Sequence, residues 1–374
     1  MTTQPLYPRR IERLRATMQT LGLDTYLVAI EANRRYLSGY RAEDGQFDET
    51  AGMLIITPNA LFLATDSRYE LQAREEAPGF EIICYRGELT EALAGRFAEL
   101  DCRRVGFESA RMSVRQHRKL SDQIRASGKN IALVPLEAVI EGQRACKDGQ
   151  EIAATRRAVT CAENAFRKLR AAISPGLTES EIARMLEDFM RADGAEGPSF
   201  PIIVASGPNS ALPHAVPGRR RLQPGEPLLL DWGARVDGYC SDISRTLFCG
   251  TPDEQFRECY RTVQKAQSAA IDAIRPGQIG RDVDAVAREI IRDAGFKGRF
   301  GHSLGHGTGL FIHEAPRLSP RSDDVLKAGM LVTVEPGIYL PDWGGVRLEN
   351  QVWVREDGAE ILNRLDLEDF LLPV

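Results

Sequence analysis

The sequence predicts an α+β protein of two domains: a smaller α/β domain over residues 1–140, and a larger one over 141–374 built from an internal duplication. Three observations carry this reading. Short apolar runs alternate with helical periodicities through the first 140 residues, the pattern of an α/β sandwich. Residues 171–194 align on residues 272–295 at a constant offset of 101, with Ile173 on Ile274, Pro175-Gly176 on Pro276-Gly277, Arg191 on Arg292 and Gly194 on Gly295. Each half of the larger domain also offers a pair of strands carrying two carboxylates. A chain of 374 residues has room for this division.

Residues 8–23 read as a helix, because Ile11, Leu14, Met18 and Leu21 repeat at helical spacing and Gly22 stops it. Residues 25–30 form a short apolar strand. Residues 52–57 and 61–65 form strands joined through Pro58-Asn59-Ala60, a hairpin. A polar helix over 67–77 and a strand over 80–85 follow, and segments 88–100, 104–108, 113–125 and 131–134 continue the alternation. His117 sits on a polar helical stretch and reads as a surface residue. No glycine-rich phosphate loop is present, and this half is expected to shape a subunit interface or a lid. Residues 141–149 are polar and aperiodic, which places the domain boundary there. The helix over 151–173 puts Ile152, Val159, Phe166, Leu169 and Ile173 on one face. A second helix opens with the capping box Thr178 to Glu181 and ends at Gly194.

Composition excludes several classes. A chain 43% hydrophobic and 27% charged is an ordinary soluble globular protein. A net charge of -5 gives no footprint for nucleic acid or an anionic membrane. Seven cysteines without a C-x-x-C pair read as reduced thiols in a cytoplasm. Residues 1–15 have no apolar core of signal-peptide type, and no apolar run is long enough to span a bilayer.

Chemistry concentrates between residues 301 and 350, which hold His302, His306 and His313, three of the five histidines. Glu335 and Glu349 there follow apolar residues, where a lone charge is costly unless paired or bound to a metal. The other half supplies partners. Leu228-Leu229-Leu230-Asp231 is an apolar strand ending in a carboxylate, and Asp237-Gly238 is a strong hairpin signal. A two-residue turn pairs 236 with 239 and 233 with 242, so Asp231 and Asp242 become diagonal neighbours on one face. Strands over 330–340 and 346–354 repeat the device with Glu335 and Glu349. Pairing with Arg245 or Arg347 is the alternative fate of such acids. Four carboxylates with His306 instead suggest a dinuclear site for hard divalent ions, about 3.5–4 Å apart.

Asp231-Trp232-Gly233, the run from Ser241 to Thr246, Gly305-His306-Gly307-Thr308-Gly309, Glu335-Pro336-Gly337 and Arg347-Leu348-Glu349 stand in the order of the ligand-bearing motifs of one family. The chain resembles the pita-bread metallopeptidases, and within them the Xaa-Pro aminopeptidases and prolidases. Arg35-Tyr36-Leu37-Ser38-Gly39-Tyr40 resembles a segment of the creatinase/prolidase-type N-terminal domain. Asn350 departs from the pattern, since many relatives carry Asp there. The resemblance implies a C-terminal pita-bread catalytic domain with a pseudo-twofold. It implies Asp231, Asp242, His306, Glu335 and Glu349 as metal ligands, two divalent ions with manganese first and cobalt or zinc as alternatives, and a homodimer.

The implied reaction is hydrolysis of the Xaa-Pro bond at the N-terminus of dipeptides or short peptides by a metal-bridging hydroxide. Glu335 would accept and return the proton. His313 and His214 would face the oxyanion, His302 would line the same pocket, and Arg347 would hold an outer or substrate contact. Arg317, in His313-Glu314-Ala315-Pro316-Arg317, suits the planar carboxylate of a dipeptide. That leaves dipeptidase and aminopeptidase both open. Two other classes share the fold: a metal-free C–N hydrolase of creatinase type and a non-catalytic binding protein. Neither requires all five ligands.

Overall fold

The computed structural model describes residues 7–46 and 49–372. The first six positions of the N-terminal stretch lie outside them. Two compact units result, Met1–Arg144 and Ala145–Val374. Among the described residues, no helix is long and apolar enough to cross a membrane.

The first unit contains α1 (Tyr7–Thr20), β1 (Thr25–Val28), α2 (Glu31–Ser38), β2 (Met53–Ile56), β3 (Leu61–Asp66), α3 (Glu70–Glu76), β4 (Glu81–Tyr85), α4 (Leu89–Glu99), β5 (Arg104–Glu108), α5 (Val114–Ala126) and β6 (Ala132–Leu136). Its six strands form one sheet in the order β4-β3-β2-β1-β5-β6. The β2–β3 hairpin forms as expected, and the Thr57 hydroxyl accepts the Asn59 and Ala60 N–H groups across its turn. Helix α1 buries Ile11, Leu14 and Met18 of the predicted stripe against the unit's interior, while Leu21 lies beyond the helix end and is exposed. Leu27, Ile55, Phe62, Phe97, Val105 and Phe107 are among the residues of the core.

Three expectations need correction. Helix α2 was not anticipated; it buries Asn33, Arg34, Tyr36 and Leu37, and the Asn33 amide and the terminal nitrogens of Arg34 find partners within the unit. Arg34 donates to Asp44 at 2.8 Å and to the carbonyls of Ala29 and Ala42. His117 is half-buried, its ring 5.4 Å from that of Phe107. The polar stretch at 141–149 is not a loop throughout, because α6 (Val139–Ala145) occupies its start. The polarity misleads there because Arg144 is buried and donates to Asn33 Oδ1, while Asn33 donates to Glu141.

The second unit opens with α7 (Gly149–Ala172), capped by Asp148 in a capping box with Glu151, and α8 (Glu179–Ala192), capped by Thr178 with Glu181. Strands β7 (Gly197–Pro198), β8 (Ile203–Ser206), β9 (Pro227–Trp232), β10 (Ala234–Val236), β11 (Tyr239–Cys240) and β12 (Ile243–Cys249) follow. The second half repeats this with α9 (Glu254–Ala273) and α10 (Gly280–Ile291). Strands β13 (Gly305–Gly307), β14 (Glu314–Leu318), β15 (Leu331–Val334), β16 (Gly337–Leu340), β17 (Gly344–Arg347), β18 (Asn350–Arg355), β19 (Gly358–Ile361) and β20 (Leu371–Leu372) complete it.

The duplication is visible in detail. The loops between the paired helices carry Gly176 and Gly277 at φ 94° and 89°. Their N–H groups donate to Leu222 O and Leu326 O, each at 2.8 Å. In the first half β8, β9 and β12 lie side by side; in the second, β13, β15 and β18 do. Each half packs its helices on its own apolar cluster, one around Phe166, Leu186 and Trp232, the other around Phe256, Val263 and Val332.

Each half also contains one long hairpin whose two strands are interrupted midway. In the first, Asp237 and Gly238 both take positive φ, 52° and 80°, as the tight turn requires. Val236 pairs with Tyr239 and Trp232 with Ile243, so the register holds across the gap and sets Gly233 against Asp242. In the second, Gly337 pairs with Arg347 and Val334 with Asn350, which sets Glu335 against Glu349. The predicted continuous strands over 330–340 and 346–354 are therefore each two strands. Pro336 lacks the N–H that a ladder needs, which helps keep β15 and β16 apart. A Cβ on Gly233 would run into the Ser241 carbonyl, and one on Gly305 into that of Thr333. Gly233→Ala is accordingly expected to destabilise the second unit by about 3 kcal/mol. Urea unfolding would measure it, and an unchanged midpoint would show that this close approach is dispensable.

Candidate metal centre

Strand alternation explains how the five residues meet. Trp232 faces inward, stacked on Phe166 at 5.0 Å with its indole N–H donated to Ala162 O at 3.0 Å. Its neighbour Asp231 therefore faces the opposite side of the sheet. Asp242 lies in the gap between β11 and β12, Glu335 between β15 and β16, and Glu349 between β17 and β18. His306 is the centre of β13, its backbone N–H donated to the Thr333 hydroxyl at 3.1 Å.

Asp242, His306 and Glu349 each present a potential ligand atom within 4.8 Å of the others. Glu335 joins them, its Oε1 3.4 Å from His306 Nε2, and Asp242 Oδ2 is 3.6 Å from the same nitrogen. Asp231 takes the arginine-paired fate weighed from the sequence with one of its oxygens only. Its Oδ2 accepts from Arg347 Nη2 at 2.6 Å, while Oδ1 is buried without a partner. All five residues line one cavity of about 500 Å³.

Electrostatics favour a cation here. Burial, then the Glu349 charge, raises Asp242 well above the carboxylate range. Burial, then Glu335 and Asp231, does the same to Glu349, and burial with the Asp231 charge raises Glu335. Burial, then His313, holds His306 down to about 3, so the imidazole is neutral. Its Nδ1 sits 3.0 Å from Gly307 O, which fixes the proton there and leaves the Nε2 lone pair facing the acids. A neutral imidazole, an orphaned carboxylate oxygen and crowded acids form a donor set that fits hard divalent cations.

The remaining expected residues separate. His313 and Arg317 line the cavity, the His313 ring 4.4 Å from that of His306, and Arg317 pairs with His306 across the β13–β14 ladder. His214 lines the cavity from an exposed loop. His302 lines it too, yet both its nitrogens are engaged, Nδ1 with Ser303 O and Nε2 with the Tyr339 hydroxyl, each at 2.8 Å. Arg347 is wholly occupied among its neighbours: besides Asp231 it donates to Ser244 Oγ, Pro213 O and Tyr339 Oη. It lines the same cavity and contacts Asp231 there. Arg245 is buried and donates to Glu349 O and to Asn350 Oδ1, so the residue that departs from the family pattern supports the backbone of Glu349.

Sequence reading missed the hydroxyls that orient the acids. Ser244 donates to Glu349 Oε2 at 2.8 Å and Thr333 to Glu335 Oε1 at 3.2 Å. The period of two could have found them, because Ser244 lies two residues from Asp242 and Thr333 two from Glu335. Tyr339 links His302 to Arg347, and four residues after Glu335 it obeys the same period. The apolar cavity walls, Phe200, Ile202, Pro213, Val216 and Ile312, had no sequence signal.

Residues 153–356 match metallopeptidase family M24, and residues 10–146 match the creatinase/prolidase N-terminal domain. The chain is 34% identical to a Xaa-Pro dipeptidase of Pyrococcus furiosus, over 96% of this chain and 99% of that one. Among solved structures it is similar to a Xaa-Pro dipeptidase from Bacillus anthracis, with TM-score 0.91 and 38% identity over 98% of this chain and 100% of the other. It is also similar to an X-Pro aminopeptidase from Thermotoga maritima, with TM-score 0.87 and 35% identity over 98% and 100% of the two chains.

Proposed function

The chain belongs to metallopeptidase family M24, the pita-bread metallopeptidases, and is a peptidase; from that premise we propose that it hydrolyses the peptide bond preceding proline at the N-terminus of a dipeptide or short peptide. One observation carries the reading: Asp231, Asp242, His306, Glu335 and Glu349 line a single cavity. These five would hold two divalent cations, manganese first. Four carboxylates against one contacting guanidinium, Arg347, leave more negative charge than one divalent ion balances. When bound, such a pair supplies Lewis acidity and an activated water near neutral pH.

The protein's own groups do the rest. Glu335, steadied by the Thr333 hydroxyl, accepts a proton from the attacking water and returns it to the departing proline nitrogen. His313 and His214 donate to the oxygen that gains charge. The apolar wall of Phe200, Ile202, Pro213, Val216 and Ile312 suits the proline ring, whose tertiary amide carries no N–H for a peptidase to grip. Arg317 at the cavity favours a free carboxylate one residue on, hence dipeptides. Free thiols at all seven cysteines suit a cytoplasmic protein, and the homodimer rests on the family resemblance.

A substrate-length series with added manganese tests the reading. Ala-Pro is expected to be cleaved with kcat/KM at least about tenfold above that for a longer Xaa-Pro peptide, one such factor being the worth of about 1.4 kcal/mol of carboxylate recognition. Equal turnover of the long peptide would make the protein an aminopeptidase. No turnover of either would remove the Xaa-Pro reading.

A further inference from the structure

Glu314 follows the cavity-lining His313 yet does not line the cavity itself. Its carboxylate turns into the protein, with 6% of the side chain exposed. There it meets Lys147, whose side chain is wholly buried, at 3.0 Å. The same carboxylate accepts the Phe311 N–H at 2.9 Å through its other oxygen. It packs on Gly309 so closely that a Cβ there would sit 2.7 Å from both oxygens. Gly309 in turn donates its N–H to Phe311 O at 3.0 Å and accepts the Cys240 N–H at 2.8 Å. The loop from Gly309 to His313 is thus folded around one buried acid, and one of its carbonyls is fastened two residues from Asp242.

Burying an ammonium and a carboxylate away from water returns little net stability, so such a pair is a weak explanation of folding. Its geometric result is specific: the strand that begins at Glu314 delivers the His313 ring to within 4.4 Å of the His306 ring. We propose that Lys147 and Glu314 are positioning residues, which set His313 for its contact with the substrate carbonyl. This rests on the peptidase reading above.

The test compares wild type, the charge-free double variant Lys147→Met/Glu314→Gln, His313→Ala and the triple variant on Ala-Pro with manganese. Removing both charges together strands no ionised group, so the double variant is expected to fold. Displacing a reacting group by about 1 Å can cost about a hundredfold. The double variant is therefore expected to lose roughly tenfold to a hundredfold in kcat with KM little changed. Adding His313→Ala to it is expected to cost almost nothing more, since the two act through one ring. Wild-type kcat in the double variant, or a full additional loss in the triple, would overturn the proposal. Imidazole resonances of the zinc-loaded full chain give an arm independent of turnover. Those of His313 should shift or broaden in the double variant while those of His117 stay. An unmoved His313 signal counts against the proposal even if wild type cleaves no Xaa-Pro substrate, and that latter failure strikes only the functional reading.

Discussion

Replacing Glu335 by alanine is expected to lower kcat on a Xaa-Pro substrate by roughly a thousandfold or more, because the proposed reaction gives the residue two duties at once. As a general base alone, a carboxylate contributes between about a hundredfold and ten-thousandfold. As a proposed ligand, it faces His306 Nε2 at 3.4 Å and stands opposite Glu349 in the broken hairpin. Glu335→Gln separates the duties. The amide can still accept from Thr333 and still offers an oxygen, but it takes no proton, so it should keep most bound metal while losing most of the rate. Metal content measured beside steady-state kinetics tells the two variants apart. Near-normal hydrolysis by Glu335→Ala would take the reaction away from this cavity.

Stripping the metal should have the second large effect, on stability as well as on rate. Cations at about a thousand times their dissociation constant stabilise the folded state by about 4 kcal/mol. In a unit of this size that corresponds to roughly 10 °C in melting temperature. The dependence on pH follows from the raised acids. In the stripped protein the folded pKa values of Asp242, Glu335 and Glu349 lie above their ordinary values. The folded state then holds protons that the unfolded state has released, so stability falls as pH rises above the ordinary carboxylate range. Bound cations favour the ionised acids and cancel that loss, so the gap between loaded and stripped melting temperatures should widen from pH 5 towards pH 8. Calorimetry across that range checks it, and a gap that narrowed would show that the acids are not the ligands.

Much of this was legible in the sequence, for identifiable reasons. The Asp237-Gly238 turn fixes a register by counting, and that register brings Asp231 and Asp242 to one face. The first helix pair announced itself through the Thr178–Glu181 capping box, and both pairs through their Pro-Gly endings. What escaped depends on contacts between residues far apart in the chain. Ser244 reaches Glu349 across 105 positions, whereas the pairing of Arg347 with one of the acids was already weighed from the sequence. The interruption at Gly233 goes with the close approach of the Ser241 carbonyl, which no local propensity encodes. Helix α2 and the helix at Val139–Ala145 were hidden by polar residues that find buried partners such as Asp44 and Asn33.

The unbroken pairing on both sides of each interruption limits how this molecule can diverge. A strand that slips by one position turns every side chain to the opposite face, so an odd insertion between Asp231 and Asp242, or between Glu335 and Glu349, would carry one acid out of the cavity. Length can change more readily at an exposed turn such as Glu356-Asp357, between β18 and β19. Within the two hairpins it can change only at the tips and only in matched pairs, one residue for each arm.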